Sequence, residues 1–402
     1  MRNVLFVTEP LGTGKAWRSL AIAEQLHALF PVVAPAFLCG PAAGTLLRAA
    51  GRFPVDDSLV AAVPQPADLV AAEADPASLA RAAERAIHRH AASHAHAALR
   101  TAKALAAELV VVDSLFAAPP VLRRGGFDVA FLTDHFRDAP AERGFARAAA
   151  TRMVRRAVVA SSQLRFFLGE PSYLASPELR VWSRRWFRYS GPISGLARLS
   201  LRDCATLRDE LGIGRKKLVV VATGSAFAAP LFEVALQGVG ALAAARGDLV
   251  VRHFAGPELA LDDGAAGPPA ELLRWLAIAD AAVVSGGLSL LAECAGLKLP
   301  TLALPLPGHP LQERHVDYHV QRFGVQRLPA GRAPSAAAIA DAVRTLLEQP
   351  TATRPHDAPD GEEQRRNAAF IADLLADHLG RKRPAVPDAP SLEAVEGGRT
   401  PR

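Results

Sequence analysis

The densest set of chemically capable residues lies between Ala279 and His315. Ser285, Gly286 and Gly287 form a turn signal after the apolar run Ala281–Val284, and a helical stretch carrying Ser289 and Glu293 follows. A glycine turn between strand and helix leaves backbone N–H groups bare at the positive end of the helix, which suits a diphosphate. Glu293, two helical turns after Gly286, looks back towards that turn, where a carboxylate can accept both hydroxyls of a ribose. A second apolar strand, Thr301–Leu304, breaks at Pro305 and Pro307 into a loop bearing His309, Gln312 and Glu313. That loop opens at the sheet edge where open α/β folds bind ligands. In outline this is a nucleotide-sugar site.

Two further places offer chemistry. The apolar run Val4–Thr8 leads into a loop with Gly12, Gly14, Lys15 and Arg18. The Gly14-Lys15 pair invites a P-loop reading, but Glu9 stands where the first glycine is required and Ala16 where Ser or Thr is required, so a nucleoside-triphosphatase is disfavoured. The strands Leu109–Val112 and Val129–Thr133 end in Asp113-Ser114 and Asp134-His135. Their side chains are placed at strand carboxyl ends facing a cleft, where they are candidate proton acceptors, and His135 has the most suitable native pKa. Helix N-capping is the competing reading for each. His90 and His94 have the spacing of a helical metal pair, but no Cys, Asp or Glu joins them, and a solvated helix face is preferred. No Asp-x-Asp occurs.

The ordered set Ser285-Gly286-Gly287, Glu293, Pro300 and Pro305-x-Pro307-Gly308-His309-Pro310-x-Gln312-Glu313 resembles the donor-binding half of GT-B glycosyltransferases, in particular the family 28 type. That resemblance implies two Rossmann-like domains facing across a cleft. It implies that Gly286 to Ser289 hold a diphosphate, Glu293 a ribose, and Gln312 and Glu313 sugar hydroxyls. The turn Thr223-Gly224-Ser225 resembles the second phosphate-contacting loop of the group. The first loop is similar to the pattern Gly-x-Gly-His-x-x-Arg: Gly12, Gly14 and Arg18 match, and Lys15 replaces the histidine. In inverting members that histidine is a candidate base, whereas a lysine of ordinary pKa (~10.4) stays protonated at neutral pH. Lys15 then either clamps an anion or acts as a base after strong desolvation. The resemblance implies a donor that is a nucleotide-diphosphate sugar, commonly a UDP-sugar, with no further cofactor. The acceptor is a small molecule, saccharide or lipid. A nucleotide-sugar hydrolase or epimerase of the same fold, or an accessory protein without catalysis, would carry much the same donor half.

These residues need a scaffold, and the composition supplies it. A chain of 402 residues, half of them hydrophobic, suits two α/β domains rather than one core. The expected division is an acceptor domain over 1–193, a donor domain over 194–380 and a disordered tail over 381–402. Cys39, Cys204 and Cys294 are widely spaced and offer neither a disulfide framework nor a zinc site, which fits a reducing cytoplasm. The short apolar N-terminal strand does not read as a signal peptide, and no 18-residue apolar run suggests a membrane span. The net charge of +6 suits a phosphate-bearing ligand or an anionic membrane surface. The basic-aromatic segment Arg180–Arg188 reads as an inter-domain wall, with peripheral membrane contact a weaker option, and no nucleic-acid motif is present.

Overall fold

A computed structural model of the chain describes residues 1–9, 13–60, 76–136, 145–174, 176–198, 201–222, 229–254, 269–306, 309–328, 334–348 and 361–381. Gly12, Gly224, Ser225, Gly308, the pair Asp262-Asp263 and the tail from 382 lie outside the described residues.

Two all-parallel sheets organise the chain. The first holds β1 (Arg2–Thr8), β2 (Val33–Leu38), β3 (Val55–Asp56), β4 (Leu109–Asp113), β5 (Asp128–Thr133), β6 (Leu164–Phe167) and β7 (Arg188–Tyr189), in the order β3-β2-β1-β4-β5-β6-β7. The second holds β8 (Lys217–Ala222), β9 (Leu249–Phe254), β10 (Ala281–Ser285), β11 (Thr301–Leu304) and β12 (Gln326–Arg327), in the order β12-β11-β10-β8-β9. Central strands of parallel sheets are covered on both faces and read as unbroken apolar runs. Accordingly, Val4 and Phe6 enter one core while Leu5 and Val7 enter the core on the opposite face. Leu218 and Val220 divide from Val219 and Val221 in the same way. Each sheet reverses direction of growth once, between β1 and β4 and between β8 and β10. The strand ends at those two points, Thr8 with Asp113 and Ala222 with Val284, are where open α/β sheets receive ligands.

Four helices matter for the site: α1 (Gly14–Leu29), then α10 (Leu288–Gly296) and α11 (Pro310–Phe323) after β10 and β11, and the final α13 (Glu362–Arg381). The last helix returns to the first half. Its Ala368, Ile371, Ala372, Leu375 and Leu379 share a core with Leu20, Ala23 and Leu26 of α1. The segment through Ser194 passes directly beneath it. Gln364 Oε1 accepts from the Ser194 amide at 2.9 Å, and Asn367 donates to the Pro192 carbonyl at 2.9 Å. Gly361 sits at φ +71°, and a Cβ there would fall 2.0 Å from the Leu196 carbonyl oxygen, so only glycine fits this crossing.

One expectation is corrected. His94 does not face solvent: it is buried beside Ala95 and Ala98, because the helix Pro76–Ala104 turns that face onto the first sheet. The segment Arg180–Arg188 is largely a helix, Pro177–Trp186, capped by Ser176, whose Oγ accepts the Leu179 amide at 3.1 Å. No helix among the described residues is long and apolar enough to cross a membrane.

Because Leu375 is fully buried where α13 meets α1, Leu375→Ala is expected to cost about 2–5 kcal/mol in urea unfolding. Phe370→Ala, on the exposed face of the same helix, is expected to change stability by no more than about 0.5 kcal/mol.

Candidate active site

The first half of the site is built on one cation. Arg18 lies one turn into α1 and is 2 % exposed. Its Nε and Nη2 donate to the two carboxylate oxygens of Asp113 at 2.6 and 2.5 Å, and its Nη1 donates to Asp134 Oδ2 at 2.7 Å. Ser114, at positive φ (60°), adds its Oγ at 3.4 Å from Nη2. Planar bidentate pairing of this kind is the strongest hydrogen bonding a guanidinium makes. Burial disfavours the Arg18 charge, but the two carboxylates outweigh it and lift its pKa. Burial likewise disfavours the Asp134 charge, and Arg18 and His135 together hold its pKa well below the usual carboxylate range.

His135 completes the cluster. Its Nδ1 lies 2.6 Å from Asp134 Oδ1. An ionised carboxylate only accepts, so Nδ1 carries a proton, and the lone pair of the neutral ring is the one on Nε2. The Phe116 ring meets the imidazole edge-on at 5.6 Å. The carbonyl of His135 accepts from Thr133 Oγ1 at 2.7 Å, which fixes the backbone after β5. The side chain is 17 % exposed, so it is supported yet reachable.

The second half contributes an uncapped helix start. Gly287 is the N-cap of α10 and offers no side chain, so the first amides of α10 have no partner within the helix. The start of α1 is likewise without a side-chain cap. The two starts abut: a Cβ on Gly14 would lie 2.6 Å from Ser289 Oγ. Two positive helix ends therefore converge, which favours an anion between them. Lys15 is paired with Glu9. Gly286 packs so closely on α11 that a Cβ would lie 2.9 Å from Gln312 Cβ.

The loop before α11 is internally braced. His309 caps the helix, its Nδ1 accepting the Gln312 amide at 3.3 Å, and Gln312 Oε1 accepts the Leu306 amide at 2.9 Å. Glu313 turns away to Arg327 of β12 at 2.9 Å. Glu293 is 5 % exposed and lies under the inter-sheet segment, where Oε1 accepts the Gly195 amide at 3.3 Å. Burial pushes its carboxyl up to about 8, against the opposing effect of that amide.

The structure thus gathers Gly14, Lys15, Ser289, Gly286 and Gln312 along one seam, with Asp113, Asp134 and His135 at the facing strand ends. Glu293 and Glu313 point to protein partners instead. Asp113 has both oxygens on Arg18, whereas His135 is bound through Nδ1 to Asp134. Two members escaped sequence reasoning. Arg18 stood only as a pattern match, although a cation one turn after a glycine loop can reach neighbouring strand ends. His315 of α11 is buried near Asp134, His135 and the backbone of Gly286, and burial pushes it down to about 3. Its spacing of four from His319 on the same helix was the available signal.

Removing the cation strands two buried carboxylates, so Arg18→Met is expected to cost about 3–5 kcal/mol at neutral pH. Asp134 titrates below its unfolded value, so its stabilisation is present above that value (about 3.9) and is lost as pH falls through the folded one. The deficit of the variant relative to wild type should therefore shrink on acidification below about pH 4. Chemical denaturation at a series of pH values reads it; a deficit independent of pH would assign Arg18 to packing alone.

No family model matches the chain. An uncharacterized glycosyltransferase of Methanopyrus kandleri is 32 % identical over 78 residues, which span 19 % of this chain and 22 % of that protein. Among solved structures, the spinosyn rhamnosyltransferase SpnG complexed with thymidine diphosphate aligns with a TM-score of 0.59 at 16 % identity, over 93 % of this chain and all of that one. The calicheamicin glycosyltransferase CalG4 gives 0.57 at 16 % identity over 96 % of this chain and 100 % of that one. A putative UDP-N-acetylglucosamine 2-epimerase from Listeria monocytogenes gives 0.57 at 10 % identity over 96 % and 98 %. The chain has the GT-B fold, two Rossmann-like halves facing each other across a cleft.

Proposed function

We propose that the chain is a glycosyltransferase that moves a sugar from a nucleotide-diphosphate donor, a UDP- or thymidine-diphosphate sugar, to a hydroxyl-bearing acceptor. The observation that carries this reading is the His135–Asp134 pair at 2.6 Å, set across the seam from two abutting, uncapped helix starts. His135 Nε2 takes the proton of the acceptor hydroxyl as its oxygen bonds to the anomeric carbon. The bond from that carbon to the diphosphate oxygen breaks, and the nucleoside diphosphate leaves with the electron pair. Asp134 stabilises the imidazolium so formed, while the amides at the start of α10 and the Lys15 ammonium meet the charge on the leaving group. Lys15 in this scheme is an anion clamp, since a lysine paired with Glu9 has little reason to shed its proton.

Ribose recognition by Glu293 rests on the resemblance of the Ser285–Glu293 stretch. For it to occur, the segment at Gly195 must yield Glu293 Oε1 to the ribose hydroxyls as the halves shift around the donor. Sugar recognition by His309, Gln312 and Glu313 has the same basis, with Gln312 the best placed of the three because it touches the Gly286 turn. Support for the donor class comes from the thymidine-diphosphate complex of SpnG, a protein of the same fold. The similarity to a putative epimerase favours one second reading, a nucleotide-sugar hydrolase or epimerase. Incubation with a UDP-sugar alone separates them: rapid turnover without an acceptor contradicts transfer.

His135→Ala is expected to lower the transfer rate by about 10²–10⁴-fold while leaving nucleotide affinity intact. Steady-state kinetics with calorimetric titration of UDP and thymidine diphosphate measure both, and an unchanged rate assigns the base elsewhere. Glu293→Ala is expected to weaken nucleotide binding by about 1–3 kcal/mol. Unaltered affinity in the same titration would remove the ribose role.

A further inference from the structure

Beside the seam, a cavity of about 620 Å³ opens between the halves. Its walls come from Tyr173 and Arg180 of the first half and from Arg314, Tyr318 and Arg322 of α11. Residues 314, 318 and 322 are spaced by four, so one face of α11 forms the wall. The volume is that of a small-molecule site rather than of packing voids.

The charges in this cavity are not balanced internally. Its two acids are already engaged. Asp317 is ion-paired with Arg327, and Glu170 accepts from Ser172 Oγ at 3.2 Å and lies 3.8 Å from Arg322. Arg180 spends its Nε on the Leu174 carbonyl at 2.7 Å, and its terminal nitrogens have no partner among the described residues. Arg314, half-buried, has no hydrogen-bond or ion-pair partner among them either. Arg180 and Arg314, one from each half, thus face one volume with spare donors, beside the exposed Arg322, which is ion-paired with Glu170; guanidinium groups so placed can recognise carboxylate or phosphate. The inner wall is backed by buried rings. The Tyr173 ring lies 4.0 Å from that of Tyr318 and 6.3 Å from that of His315, which is within electrostatic reach of Asp134 and His135.

We propose that this cavity receives the acceptor and that the acceptor carries an anionic group, held by Arg180, Arg314 and Arg322, with its reacting hydroxyl directed past Tyr173 towards His135. This inference rests on the glycosyltransferase reading for the word acceptor, and on the cavity alone for the anion. An anion gripped by arginines of both halves also draws the cleft closed, so that acceptor binding and closure favour each other.

The test uses the full chain and three fluorescent probes, naphthyl phosphate, naphthoate and uncharged naphthol, titrated in saturating UDP so that the diphosphate position is filled. Wild type is expected to bind an anionic probe at least about tenfold more tightly than naphthol. The double variant Arg314→Glu/Arg322→Glu is expected to lose that preference while keeping its UDP affinity. The milder Arg314→Gln/Arg322→Gln, with an unchanged melting curve, should fall between them. Equal binding of the three probes by wild type, or an anion preference that survives charge reversal, overturns the proposal. If UDP binds and the anion preference is missing, the anionic acceptor falls and the transferase reading stands. If the preference depends on the arginines and no nucleotide binds, the anion site stands and the donor assignment falls.

Discussion

One guanidinium group sets the geometry from which the rest follows. Arg18 is buried with two carboxylates from the ends of β4 and β5, so α1 is bolted to the sheet edge where it begins. A buried cation is tolerated only when partners take up its donors, and here Asp113, Asp134 and Ser114 accept four hydrogen bonds from it. Because the bidentate grip on Asp113 fixes the guanidinium plane, the third bond fixes the Asp134 carboxylate, and its remaining oxygen fixes His135. The orientation of the imidazole is thus set by the Arg18–Asp113 pair, acting through Asp134. The same bolt places the start of α1 against the start of α10.

Abutting helix starts are electrostatically costly unless something negative sits between them. Neither start carries a side-chain cap, and Gly14 and Gly287 are residues that leave the backbone approachable. The halves are joined where the segment through Ser194 runs under α13, whose apolar face belongs to the first core. Glu293 lies at that junction, buried and held high in pKa by its surroundings. A carboxyl in that state is poised to respond to movement of the junction, because any route that rehydrates it or supplies donors favours its ionised form.

Much of this was legible in the sequence, and the reason is physical. Strands buried on both faces must be continuous apolar runs, so β11 was bounded correctly by Thr301–Leu304 and β10 to within one residue by Ala281–Val284. The glycine turn before α10 and the proline break after β11 are local backbone requirements and could be read locally. What could not be read was pairing across the fold. Arg18 meets Asp113 and Asp134 at separations of 95 and 116 residues, and no periodicity encodes that meeting. Glu293 was correctly placed on its helix, but the segment at Gly195 that covers it arrives from elsewhere. Glu313 was expected to face a sugar, and a strand of two residues supplies Arg327 as its partner. His94 was assigned to solvent because no Cys, Asp or Glu joins it as a metal partner, whereas docking of the whole helix buried it. Gly12, Gly224 and Ser225 fall outside the described residues.

The account depends most on the state of one imidazole. Nitrogen NMR of histidine-labelled protein at neutral pH reads which ring nitrogen of His135 carries the proton, with assignment by comparison with a variant lacking it. The geometry predicts a proton on Nδ1 and a free lone pair on Nε2, with that distribution disturbed by Asp134→Asn. A proton on Nε2, or a spectrum indifferent to Asp134→Asn, would contradict the oriented base on which the proposed chemistry stands.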